Sequence, residues 1–82
     1  MKATLEFNLD DHDDVKAHLR AVKALAMTLA LWDMDQYLRS QMKYGTKEGE
    51  LSDDAYKALK NAREELKDFM SSRGIDLDEL VN

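Results

Sequence analysis

The stretch Asp10–Gly45, DDHDDVKAHLRAVKALAMTLALWDMDQYLRSQMKYG, runs 36 positions with no proline and no glycine before its last residue. Asp10 or Asp11 can cap a helix start, and Gly45 can end one. Between them the apolar residues keep a helical period, so the fold turns on whether this is one helix or two. A single straight helix of that length would outrun the ~30 Å width of a compact domain of this size. It must bend, break, or extend along a neighbour.

The apolar pattern changes side within the stretch. At 100° per residue Val15, Leu19, Val22 and Ala26 share one face. Met27, Leu31, Met34, Leu38 and Met42 share another, more than a third of a turn away. Either the helix is interrupted near residues 23–27, or it is continuous and offers one stripe to its own core and the other to a second subunit.

On the N-terminal side, ATLEFNL alternates Ala3, Leu5, Phe7 and Leu9 with Thr4, Glu6 and Asn8, the period of a strand with one buried face. No second such segment exists to pair with it, so the strand is expected to pair with the same segment of another subunit. The alternative is an extended arm lying across the helices. On the C-terminal side GTKEGEL reads as a polar loop, and Ser52 caps a helix with Ala55, Leu59, Ala62, Leu66 and Phe69 in its stripe, widened by Tyr56 and Met70. Arg73, Gly74 and Ile75 form a helix stop, and DLDELVN offers one further turn. The expected architecture is therefore a single, mainly α domain: strand or arm at 1–9, helical segment at 11–44, loop at 45–51, antiparallel helix at 52–73, tail at 74–82, assembled as a homo-oligomer.

Composition points the same way. A chain of 82 residues without cysteine has neither disulfides nor thiolate metal sites to reinforce a small core, which leaves self-association. No apolar run reaches the ~20 residues of a membrane span, and MKATLEFNLDD lacks the apolar core of a signal peptide, so a cytoplasmic protein is expected. The net charge of -5 argues against general affinity for nucleic acid. Acid collects in DDHDD, ELSDD and DLDEL, where it complements helix starts or imitates nucleic acid toward a protein partner. From Val15 to Trp32, and again from Gln36 to Lys47, there is no carboxylate.

Within the helical stretch, Trp32, Gln36, Arg39 and Lys43 fall in one narrow stripe, followed by Tyr44. A flat aromatic, an amide and two cations suit an anionic, ring-bearing ligand such as a nucleotide, through stacking, edge hydrogen bonds and phosphate neutralisation. The plainer reading makes Trp32 core, pairs Arg39 with Asp35, and leaves Lys43 solvated. Asp33 and Asp35 point about 200° apart on a helix and form no carboxylate pair. His12 and His18, six positions apart, share no face. The serines lack a nucleophile elbow, and there is no phosphate-cradling glycine loop. A non-enzyme that needs no cofactor is expected.

The segments LEFNL, LALWDMDQYLR, KYG and SRGIDL together resemble a group of small phage and prophage proteins. The chain departs from that pattern at NLDD, where the group often has Asn-Leu-Pro, and at Lys23-Ala24, where it often has a glycine-containing break. The resemblance implies a phage accessory protein that acts by binding, in the host cell, as a counter-defence factor. Two function classes follow. One is an oligomer that sequesters a small nucleotide-like ligand at Trp32, Gln36, Arg39, Lys43 and Tyr44. The other is an acidic inhibitor of a host defence or nucleic-acid-processing protein.

Overall fold

The computed structural model describes residues 1–45 and 49–81. Three helices follow in order: α1 (His12–Tyr44), α2 (Asp53–Ser72) and α3 (Leu77–Val81). The long stretch is one helix of 33 residues, unbroken at residues 23–27. Its side chains include no helix breaker, and the carboxylate of Asp11 caps its start by accepting the Asp13 N–H at 2.9 Å. At ~1.5 Å per residue it measures ~50 Å, which sets the 53 Å long axis of the molecule. The helix neither bends back nor breaks; it projects.

Gly45 ends α1 at φ 79°, in the left-handed region, and its N–H donates to the Gln41 carbonyl at 3.0 Å. A Cβ there would lie 2.6 Å from the Gly49 carbonyl oxygen, so the turn admits only glycine. The loop expected at 45–51 is described at its ends alone, since residues 46–48 lie outside the described residues. Ser52 then caps α2 through its hydroxyl, which accepts the Ala55 N–H at 3.2 Å. The predicted stop follows: Ile75 N–H donates to the Met70 carbonyl at 2.9 Å across Gly74, whose φ is 72°. Asp76 starts α3 by accepting the Asp78 N–H at 3.0 Å.

The N-terminal strand is not formed, and no strand exists among the described residues. A strand needs a partner edge, and the described residues offer the N-terminal segment none. The segment is instead an arm that turns back along the start of α1. Asn8 N–H donates to the Asp14 carboxylate at 2.8 Å, and the Phe7 ring meets His18 edge-on at 5.4 Å between centroids. The alternation of Ala3, Leu5, Phe7 and Leu9 buries only Phe7, and that partly.

Helices α2 and α3 both pack on α1. The face that α1 turns toward them carries Thr28, Leu31, Trp32, Asp35, Leu38 and Met42, all at least half-buried, whereas Met27 and Met34 stay exposed. On α2 the inward line is Ala55, Leu59, Arg63, Leu66 and Met70; Tyr56, Ala62 and Phe69, expected in the stripe, are exposed. The contact face of each helix is thus turned by part of a residue step from the apolar stripe, far enough to bring one charged residue of each helix into the seam. Only Met70 and Leu77 are buried apolar side chains among the described residues. No helix among them is long and apolar enough to cross a membrane.

Candidate functional site

Asp35 and Arg63 meet where α1 crosses the middle of α2. Arg63 Nε donates to Asp35 Oδ1 at 2.9 Å and Nη2 to Oδ2 at 3.4 Å, a two-point geometry that fits the planar guanidinium to the carboxylate. The two side chains keep 23% and 10% of their accessible surface, Arg63 and Asp35 respectively. Asp35 is therefore held across the helix interface by Arg63 and not, as its spacing suggests, by Arg39 along α1.

That leaves Arg39 without an ion pair among the described residues and turned toward open space. It belongs to two adjoining depressions. The larger, of about 510 Å³, lies where the α2–α3 turn meets α1 and is lined by Trp32, Gln36 and Arg39 on one side and by Lys67, Asp76 and Asp78 on the other. The smaller, of about 260 Å³, lies between Arg39, Met42 and Lys43 of α1 and Tyr56 of α2. Arg39 and Arg63 line both, so the two depressions meet at these guanidinium groups.

The sequence-selected residues are accordingly divided. Trp32, Gln36 and Arg39 converge on the larger depression because positions 32, 36 and 39 follow one edge of the face that packs on α2. Lys43, one turn on, opens onto the smaller one. Tyr44 lines neither: its ring is exposed and sits beneath the Lys43 ammonium at 5.2 Å, a cation–π contact at the end of α1. Arg63, Lys67, Tyr56 and the two aspartates of the α3 start come from α2 and its C-terminal turn and were not anticipated.

The charge in this groove is graded. Arg39, Lys43 and Arg63 gather toward the α1 C-terminal end, and the carboxylates of Asp76 and Asp78 lie at the opposite end with Lys67 beside them. Since Asp35 neutralises Arg63, the cationic end rests on Arg39 and Lys43. Among the described residues no three His, Asp or Glu side chains converge in a way that would hold a metal ion. Comparison with known proteins finds no family model that matches the chain, no similar curated protein and no similar solved structure.

Proposed function

We propose that the chain acts by binding, without catalysis, and that it sequesters a small, planar, anionic molecule of nucleotide type in the groove between α1 and α2. The observation that carries this reading is the convergence of Trp32, Gln36 and Arg39 on one depression of about 510 Å³, continuous at Arg39 with the site of Lys43. That volume lies within the ~300–1,000 Å³ usual for small-molecule sites. The gradient gives the ligand an orientation. Its phosphate lies toward Arg39 and Lys43, where charge-assisted hydrogen bonds are available, and its ring lies against Trp32. Asp76 and Asp78 outnumber Lys67 at the other end, which suits amino or hydroxyl groups of the ligand better than a second phosphate.

The resemblance of LEFNL, LALWDMDQYLR and KYG to small phage and prophage proteins gives such a binder its use: withholding a host nucleotide signal as a counter-defence measure. Trp32 is the only tryptophan, so its fluorescence reports on the groove alone. Titration with nucleoside monophosphates and diphosphates is expected to quench it saturably. Heat-denatured protein from cells is expected to release an ultraviolet-absorbing phosphate ester detectable by mass spectrometry. The absence of both quenching by any nucleotide and a released ligand would overturn the reading.

A further inference from the structure

The first half of α1 carries apolar surface that none of the described residues covers. Val15, Leu19, Val22, Ala26 and Leu29 follow one another at spacings of four, three, four and three, and every one of them is exposed, Leu19 at 51% and Val22 at 63%. On a continuous helix these five positions form one line, about 180° away from the Leu31, Asp35, Leu38 and Met42 line that meets α2. The alternating four-three spacing is that of a coiled-coil seam, and it stops at Asp33, the next position in the series.

The surface area says how much is missing. A compact monomer of 9.4 kDa would expose ~5,000 Å², whereas this chain exposes 7182 Å². The excess, about 2,200 Å² per chain, is more than twice the ~800 Å² that each partner buries in a standard interface and falls in the range of obligate oligomers. The radius of gyration, 17.5 Å, against the ~12 Å of a compact domain of this length, describes the same projecting helix.

We propose that a second copy of this chain covers the stripe, pairing α1 with its counterpart through Val15, Leu19, Val22, Ala26 and Leu29. A copy supplies the same apolar line, so the seam is self-complementary about a two-fold axis. Lys16 and Lys23 flank the line and lay their alkyl stems beside it. The sign of the charge separates this occupant from others. Two copies of a chain of net charge -5 with like-charged flanks associate no less tightly as salt is added. An acidic partner or an anionic lipid surface held by Lys16, Arg20 and Lys23 would be released. The pairing can be tested apart from the ligand reading, since the stripe ends at Leu29 and the α1 residues of the groove begin at Trp32, about a quarter turn round the helix.

Sedimentation equilibrium of the full chain at micromolar concentration, in low and physiological salt, is expected to give a dimer whose dissociation constant is unchanged or lower in the higher salt. Val22→Glu is expected to raise that constant about a hundredfold or more by setting like charges in an apolar seam. Because loss of the seam could also unfold the helices, a cysteine scan provides a second readout in a chain that has no cysteine of its own. Mild oxidation of Leu19→Cys, Val22→Cys and Ala26→Cys is expected to yield an interchain disulfide for at least one, and none for Glu64→Cys on the outward side of α2. A monomer at micromolar concentration overturns the proposal. So does a dimer that survives Val22→Glu, one whose three stripe cysteines all stay reduced, or salt-sensitive recovery of a monomer on phosphatidylserine vesicles.

Discussion

Arg63 grips Asp35 from 28 positions away in sequence, with both groups largely out of water, and this pair ties α1 to α2 at a point where each helix would otherwise present an apolar residue. Removing one partner strands the other. Arg63→Ala or Asp35→Ala is expected to cost ~3 kcal/mol or more, whereas joint replacement by Leu at Asp35 and Met at Arg63 is expected to recover most of it. Urea unfolding followed by circular dichroism measures both. Equal loss in the single and double variants would refute the pairing.

Arg39 is the contrasting case. It forms no ion pair with described residues and is exposed, so Arg39→Ala is expected to change stability by no more than ~0.5 kcal/mol. In the same variant, and in Lys43→Ala, nucleotide affinity is expected to fall about tenfold or more through loss of a charge-assisted bond. Tyr44→Phe, outside the groove, is expected to leave affinity unchanged. Tryptophan quenching gives the affinities.

The two helix-ending glycines are expected to differ. Gly74 has φ 72° but open space around its missing side chain, so Gly74→Ala is expected to cost only the left-handed backbone penalty of ~1 kcal/mol. Gly45, at φ 79° with a carbonyl oxygen 2.6 Å from the Cβ position, adds a clash to that penalty and is expected to cost clearly more. Thermal unfolding of the two variants side by side provides the comparison, and equal midpoints would contradict it.

Phe7 is only half-buried and holds the arm through one edge contact with His18. Phe7→Ala is expected to cost ~1 kcal/mol, the scale of one aromatic pair, and not the ~3 kcal/mol or more of an aromatic in a closed core. Hydrogen exchange is expected to rise in residues 1–9 and the first turn of α1 alone. Faster exchange throughout α2 would show that the arm supports the whole fold.

What the residues decide locally was legible in the sequence. A cap at Asp10 or Asp11, the glycine stop at 45, the Ser52 cap and the Arg73-Gly74-Ile75 turn each depend on residues within a few positions of one another, so helix ends follow from short-range chemistry, whereas the sequence leaves the continuity of α1 through residues 23–27 open. Even the split of the α1 apolar pattern into two stripes is a local fact. Tertiary structure decided what faces what. The alternation in ATLEFNL is consistent with a strand or an arm, and the choice fell to the absence, among the described residues, of any edge to pair with. Asp35 has Arg39 one turn away and Arg63 across the interface. In the fold the interface wins: the Arg63 guanidinium meets Asp35 at two points, and both helices sit part of a residue step off their apolar stripes, which places the pair in the seam. A hint was present: Asp35 stands at the four-three spacing between Leu31 and Leu38, and Arg63 between Leu59 and Leu66, one opposite charge in each line. Periodicity locates such residues, but only the packing of one helix against another can say that they meet.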